Sequence, residues 1–184
     1  MIHDHDPSKE VIKISQQTNN PIIVTVYDPA WPAVFVSLSD MLADALGDTA
    51  LCIEHVGSTA VPGLAAKPVI DIDVVVRRND LSTAISKLEA VGYTHQGDQG
   101  IPDREAFKQT GEWPSHHLYV CPEDSMELAR HIAFRDLLRE NAKVRQAYHE
   151  LKMQLAEIYR DDRVAYTEAK SEFIRDCLAT DQCS

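Results

Sequence analysis

The chain has 184 residues, with 18 lysines and arginines against 29 aspartates and glutamates, which gives a formal net charge of −11. This length suits one domain, and a composition of 44% hydrophobic and 26% charged residues excludes a wholly disordered chain. The acidic balance argues against broad, sequence-independent binding of nucleic acids. The longest mainly apolar run, residues 68–76, contains Asp71 and Asp73, so the sequence predicts no membrane-spanning segment.

The domain organisation follows from polarity and helical spacing. Residues 1–20 lack apolar periodicity and predict a flexible N-terminal tail, whereas residues 21–184 predict a single domain. We expect its core to span residues 21–122 and its C-terminal helices to span residues 123–180. The four cysteines form no CxxC pair, which favours a reducing, cytoplasmic location.

The apolar pattern and the turn residues predict the elements in chain order. The first are a short strand from Pro21, a helix capped by Asp28 and ended by Gly47, a strand over 50–56, a Gly/Pro-punctuated connection over 57–68, a strand over 69–76, and a helix ended by Gly92. A loop-rich stretch over 93–114 with a candidate short strand near 106–107 comes next, then a strand over 118–121 and a helical remainder. The predicted fold class is α+β or α/β.

Two aspartates on the strand over 69–76 are the first functional signal. Asp71 and Asp73 point to the same face, with Cα atoms roughly 6.5 Å apart. Two carboxylates beside a buried strand repel each other and lose solvation, and a divalent cation relieves both costs. Oxygen ligands favour Mg²⁺ or Mn²⁺. The alternative is a half-buried strand with a polar outer face, against which Val75 counts because it continues that face as an apolar residue.

Gly57 and Ser58 follow the strand over 50–56 directly. A residue without Cβ lets the backbone bend sharply, and exposed N–H groups together with the Ser58 hydroxyl suit phosphate oxygens. The alternative for Gly57 alone is an ordinary turn. Together, the turn and the two aspartates predict a site for a phosphate-bearing ligand and a metal.

The string HVGSTAVPGLAAKP, followed after one residue by IDI, resembles the GrpB-like family of the nucleotidyltransferase fold superfamily. YDPAW, HHLYV, FRDLLREN and AYHELKMQLA resemble other parts of that family in the same order, so the resemblance covers roughly residues 22–178. It implies a nucleotidyltransferase-type mixed β-sheet flanked by helices, with a C-terminal helical extension. By the same resemblance, Gly57 and Ser58 would hold a nucleoside triphosphate, and Asp71 and Asp73 would hold Mg²⁺ or Mn²⁺.

The resemblance also implies a third carboxylate on a later strand, where this chain offers His117 or Tyr119. His117 is therefore the candidate base or ligand. Lys67 is a candidate phosphate contact, with an ordinary surface lysine as the alternative. Arg104 resembles a family arginine that faces the cleft, with a salt bridge to Asp103 or Glu105 as the alternative.

Weaker candidates come from the other histidines and from the helical tail. His55, His116 and His117 lack the spacing of zinc ligands, and we expect His55 to be a hydrogen-bonded core residue. We expect Arg135 to be a solvated helix charge. Leu151, Leu155, Phe173 and Cys177 predict that the helical tail packs onto the domain.

The sequence as a whole predicts a magnesium-dependent nucleotidyltransferase that acts on a nucleoside triphosphate and an unknown small-molecule or protein acceptor. The alternative is a degenerate member that binds a nucleotide or a phosphorylated metabolite without transfer. Because members of the family are fused to dephospho-coenzyme A kinase, the resemblance also implies a link to coenzyme A metabolism.

Overall fold

The computed structural model of the protein describes residues 21–181. Its helices are α1 (Trp31–Leu46), α2 (Leu81–Ala90), α3 (Met126–Glu140), α4 (Ala142–Ile158) and α5 (Arg163–Asp181). Its strands are β1 (Ala50–Val56), β2 (Ile70–Val76), β3 (Tyr93–His95), β4 (Glu105–Gln109) and β5 (His116–Pro122). The tail predicted over residues 1–20 lies outside the described residues. Within residues 21–181, every helix is too short or too polar to cross a lipid bilayer.

The strands form one mixed sheet in the order β1-β2-β5-β4-β3. β2 and β5 run parallel, and the other neighbouring pairs are antiparallel. The central position of β2 explains its near-continuous run of branched apolar residues, because both of its faces are covered. The predicted mixed sheet with flanking helices is therefore confirmed.

The two faces of β2 carry different chemistry. Ile72, Val74 and Val76 pack with Leu42 of α1 and Leu88 of α2 in the main core. The opposite face carries the two aspartates and Val75, and Val75 packs beneath α3 against Leu128 and Ile132. Residue alternation along one strand thus places apolar residues in the core and the aspartates beneath α3.

The C-terminal helices cover the connection between β1 and β2. Val61 and Leu64 of that connection are fully buried against Leu138 and Tyr148, and Phe173 and Cys177 pack around them. Leu155 packs with Ile22 and Tyr166 in a neighbouring cluster. A fully buried leucine contributes roughly 1.5–3 kcal/mol, so this packing joins the tail to the sheet. Of the four tail residues singled out by the sequence, Leu155 is buried, and Leu151, Phe173 and Cys177 are partly buried in these clusters.

The prediction differs from the structure at two elements. The predicted strand from Pro21 is wrong, because Thr25 makes only an isolated bridge to Ala66. Ala66 lies in a connection interrupted by Pro62, Gly63 and Pro68, which cannot continue a ladder of hydrogen bonds. In the loop-rich stretch over 93–114, the candidate strand near 106–107 is confirmed as β4, and it pairs with β3 as a β-hairpin. β3 was missed because its three residues are too few to show a period of two.

Candidate functional site

The turn after β1 lies directly against Asp71. Val56 is paired with Asp71 across β1 and β2, and Gly57 follows with a φ of +71°. A Cβ atom placed on Gly57 would stand 2.2 Å from Oδ2 of Asp71. Only glycine meets both conditions, because other residues strain at positive φ and collide with the carboxylate. The structure thus brings the Gly57–Ser58 turn and Asp71 together, as the sequence predicts.

His117 also contacts Asp71. The parallel register of β2 and β5 places the two residues side by side. Nδ1 of His117 donates a hydrogen bond of 2.7 Å to Oδ1 of Asp71. Both side chains remain partly exposed, 39% for His117 and 30% for Asp71, so both are accessible to a ligand. His116 points the other way and contacts Tyr93 and the carbonyl of Pro114.

Asp73 is fully buried and pairs with His131 of α3. Nδ1 of His131 donates to Oδ2 of Asp73 at 2.7 Å, and Nε2 lies 3.1 Å from Oε1 of Glu127. Burial lowers the pKa of His131, but the hydrogen bonds to Asp73 and Glu127 outweigh it and raise the pKa to about 9. The buried carboxylate therefore faces an imidazolium. Asp71 accepts a hydrogen bond from His117, and Asp73 is paired with the protonated His131.

His131 was not among the predicted site residues. Glu127 and His131 are four residues apart on a helix and therefore share a face. That spacing is visible in the sequence, but it does not show what the shared face packs against. The partner strand of α3 was not predictable from local spacing.

A cavity of about 330 Å³ opens beside the turn and Asp71. This volume falls within the usual range for small-molecule sites. Asp71 is the one carboxylate that lines it among the described residues, and Asp73 lies outside the lining. Seven lysines and arginines of residues 21–181 line the same cavity: Lys67, Arg104, Arg130, Arg135, Lys152, Arg163 and Lys170. An acidic protein thus concentrates positive charge in one cleft.

Five of those cations have no carboxylate partner within residues 21–181, because only Arg130 and Arg135 of the seven form ion pairs there. An uncompensated cluster of cations is unfavourable in a protein interior and is typical of a site that binds anions.

Two of the three lysines that line this cavity lie against the ring of Tyr166, and the third, Lys152, lies over the ring of Tyr148. Nζ of Lys170 lies 4.3 Å from the centre of the Tyr166 ring, and Nζ of Lys67 lies 5.8 Å from it. Burial lowers the pKa of Lys170 to about 8, and repulsion from Lys67 and Arg163 acts in the same direction. Burial and the charge of Lys170 lower the pKa of Lys152 to about 7. An anionic ligand would favour protonation of all three lysines.

The structure contradicts the sequence expectation for Arg135 and confirms the one for His55. Arg135 is not a solvated helix charge, because Nη1 lies 2.6 Å from Oε2 of Glu54 and the side chain lines the cavity. His55 is the expected core histidine, stacked on Phe35 and hydrogen-bonded to Thr59 at 3.0 Å. Burial lowers the pKa of His55 to about 4.

The carboxylate oxygens of Asp71 and Asp73 are ligands of the kind that a hard divalent cation prefers. Oδ1 of Asp73 is buried without a hydrogen-bond partner, on the strand face that also carries Asp71. Mg²⁺ is commonly held by one or two carboxylates, with waters and substrate phosphates completing its octahedron. No group of three or more His, Cys, Asp and Glu side chains in residues 21–181 has the arrangement of a metal site. The two aspartates would therefore need oxygen ligands from a bound phosphate compound.

A family described as GrpB protein matches residues 21–180 of the chain. A UPF0157 protein of Halalkalibacterium halodurans is 38% identical over 164 residues, which cover 87% of this chain and 82% of that relative. The UPF0157 protein YqkA of Bacillus subtilis is 33% identical over 153 residues, and the chain spans only 45% of its length. A dephospho-CoA kinase of Mycolicibacterium paratuberculosis is 27% identical over 198 residues, covering 92% of this chain and 48% of that protein.

Solved structures agree with the fold. The crystal structure of the conserved protein GrpB from Enterococcus faecalis matches with a TM-score of 0.71 and 33% identity, covering 85% of this chain and 99% of that one. The Cid1 poly(U) polymerase with MgGTP bound matches with a TM-score of 0.50 and 15% identity, covering 73% of this chain and 44% of the polymerase. The second likeness is one of fold alone.

Proposed function

The chain belongs to the GrpB family, and from that premise we propose that it transfers a nucleotidyl group from a nucleoside triphosphate to an acceptor in a Mg²⁺-dependent reaction. The observation that carries this proposal is the meeting of the Gly57–Ser58 turn, Asp71 and the three lysines Lys67, Lys152 and Lys170 in one cavity. A triphosphate is a polyanion of matching charge, and the turn presents N–H groups and a hydroxyl.

The chain's own residues would share the binding of the triphosphate. Gly57 and Ser58 hold phosphate oxygens at the end of β1, and Lys67 contacts them from the same connection. Lys152 and Lys170 approach from α4 and α5. Asp71 and Asp73 would hold Mg²⁺ or Mn²⁺, which supplies charge neutralisation and stabilises an in-line displacement.

His117 is positioned to act as the general base. Because its Nδ1 donates to Asp71, Nε2 carries the free lone pair. Nε2 would accept the proton of an acceptor hydroxyl as its oxygen forms a bond to the α-phosphorus. The bond from that phosphorus to the bridging oxygen then breaks, and pyrophosphate leaves. General-base catalysis of this kind contributes roughly 10²–10⁴-fold.

A second candidate function is the binding of a nucleotide or phosphorylated metabolite without transfer. The burial of Asp73 beneath His131, outside the lining of the cavity, favours it. The match to a dephospho-CoA kinase supports a connection with coenzyme A metabolism for either candidate.

The cytoplasm is the proposed location. Cys52, Cys121 and Cys177, which are the described cysteines, are all free, as expected in a reducing compartment. The proposed partners are a nucleoside triphosphate and a small-molecule or protein acceptor. The net charge of −11 disfavours broad contact with nucleic acids or an anionic membrane surface.

A panel of nucleotides tested with and without Mg²⁺ separates these functions from an inert fold. Binding to the native state raises its stability, by about 2.7 kcal/mol at a ligand concentration of 100 Kd. We expect Mg²⁺-dependent thermal stabilisation that Asp71→Asn abolishes. Glu89→Gln, an exposed charge change on α2, is the matched control and should retain it. Stabilisation that is independent of both Mg²⁺ and Asp71 would refute the transferase proposal.

A further inference from the structure

Arg104 is a buried cation without a counter-charge. Arg104 immediately precedes β4 in the chain, and its side chain lines the cavity. The residue as a whole is only 8% exposed. Its Nε is buried and has no hydrogen-bond partner among residues 21–181. Because an uncompensated buried charge is costly, the site has a structural need for an anion at this point.

The two acids beside Arg104 in the chain are both bound elsewhere. Oδ1 of Asp103 accepts a bond of 2.6 Å from Nη1 of Arg78, and Arg78 is held in turn by Asp124. Glu105 lies 2.6 Å from Nε2 of His95. The salt bridges that the sequence offered as an alternative for Arg104 are therefore absent from the described residues. Asp103 has a φ of +56°, which its bond to Arg78 helps to maintain.

Arg104 lies on the His117 side of the cavity. Its guanidinium carbon stands 4.4 Å from the centre of the Tyr119 ring. Tyr119 and His117 share one face of β5, and their ring centres are 6.5 Å apart. The proposed base and the unpaired arginine thus flank the same aromatic ring.

The triphosphate-binding turn is on the other side. The sheet order places β1, which leads into Gly57, three strand spacings from β4, which follows Arg104. Three spacings correspond to roughly 14 Å between the two backbones, but the Arg104 guanidinium reaches over Tyr119 of β5, which is two spacings or roughly 10 Å from β1. The turn side already has Lys67, Lys152 and Lys170 for phosphate charge. Arg104 therefore stands where the molecule that contacts His117 would bind.

We infer that the acceptor carries an anionic oxygen group, a phosphate or a carboxylate, which binds Arg104 while its reacting hydroxyl faces His117. The inference rests on the proposed function, because that function places the acceptor at His117. It revises the sequence prediction of Arg104 as a nucleotide contact. The planar guanidinium suits bidentate binding of either group, and the Tyr119 ring beneath it fixes its orientation.

The test measures anion binding to the full chain with Mg²⁺ and saturating non-hydrolysable ATP and UTP analogues present. Inorganic phosphate and acetate serve as the anionic probes, and calorimetry measures their binding. Arg104→Gln removes the charge, and Arg104→Lys keeps the charge without the planar fork. Lys108→Gln is the control, since Lys108 is an exposed cation on β4, the strand that follows Arg104, and lies outside the cavity lining. The near-ultraviolet circular dichroism spectrum reports whether each variant is folded.

We expect the wild type to bind one of the two probes on top of the analogue. Arg104→Gln should weaken that binding at least tenfold, Arg104→Lys should weaken it less, and Lys108→Gln should change it less than twofold. Affinity for the analogue should stay within threefold in all variants. Phosphate binding alone identifies a phosphorylated acceptor, and acetate binding alone identifies a carboxylate.

If neither phosphate nor acetate binds the analogue-saturated wild type, the inference is overturned. So would a tenfold loss of analogue affinity in Arg104→Gln, because Arg104 would then belong to the nucleotide. If no analogue binds the wild type but phosphate binds in an Arg104-dependent manner, the proposal of nucleotidyl transfer is contradicted. The proposal of an anion site at Arg104 is then still supported.

Discussion

Nδ1 of His131 donates a hydrogen bond of 2.7 Å to Oδ2 of Asp73, a carboxylate with no exposed surface. The bond crosses from α3 to the middle of the sheet. It fixes the helix over the strand face that carries Asp71. The pair therefore connects the packing of α3 to the geometry of the candidate site.

Replacing Asp73 with Asn should destabilise the protein by about 3–5 kcal/mol, because it removes one partner of a buried ion pair. Asp71→Asn should change the free energy of unfolding by about 1 kcal/mol or less, since that side chain is 30% exposed. Urea denaturation of both variants measures the difference. The double variant Asp73→Asn with His131→Ala should lose much less stability than the sum of the losses in the two single variants. Additive losses of stability would show that the two residues are not coupled.

Gly57→Ala should disrupt the site by direct collision with Asp71. Gly63→Ala is the matched control, because Gly63 has a similar φ of +79° but open space where a Cβ would stand. Both changes carry the cost of a positive φ, about 1–2 kcal/mol. Only Gly57→Ala should also abolish Mg²⁺-dependent nucleotide binding. Equal stability losses and equal binding in the two variants would show that the turn does not constrain the carboxylate.

His117→Ala should lower the rate of pyrophosphate release about 10²–10⁴-fold and leave nucleotide affinity within threefold. His149→Ala provides the control, because His149 lies on α4 outside the lining of the cavity. A loss of nucleotide affinity with unchanged turnover would contradict the role of a base. Nucleotide binding that requires Asp71, without pyrophosphate release from the wild type under any acceptor tested, would favour the binding protein.

Lys152 should make the stability of the ligand-free protein depend on pH. Its pKa falls from 10.5 to about 7 on folding. The unfolded chain therefore binds more protons than the native protein between those values, and stability should rise with pH through that window. The slope from this group approaches about 1.4 kcal/mol per pH unit. Below pH 7 both states are protonated, so the penalty is complete and constant there.

Lys152→Met should flatten that rise, as measured by urea unfolding at pH 7, 8.5 and 10. The difference between the variant and the wild type isolates the contribution of Lys152 from that of Lys170, which also titrates in this range. Lys152 faces Lys170, Asp71 and the ring of Tyr148. Lys143→Met, at an exposed position near the start of α4, should leave the rise unchanged. A slope identical to that of the wild type in Lys152→Met would mean that Lys152 titrates normally.

The sequence predicted those parts of the fold that depend on local spacing. β1 was predicted with the observed bounds, whereas the predicted cap is wrong: α1 begins at Trp31 with Ala30 as its N-cap, and Oδ1 of Asp28 accepts from the backbone of Ala30 ahead of the helix. The Gly57–Asp71 contact was predictable because both residues lie within one short β-connection-β unit.

The cluster of lysines and arginines that lines the cavity was not predictable in the same way. Lys152, Arg163 and Lys170 lie on polar stretches of helices, where solvated charge is the default expectation. Their positions depend on how α4 and α5 pack on Val61 and Leu64, which is long-range information that spacing does not contain. His131 escaped prediction for the same reason.

The position of α5 has a consequence for biosynthesis. The residues of α5 that line the cavity, among them Arg163 and Lys170, are synthesised long after Gly57 and Asp71. A nascent chain that ends before α5 lacks two of the seven cations of the cavity and the wall that carries them. The positive charge of the cleft is therefore complete only after α5 has been synthesised.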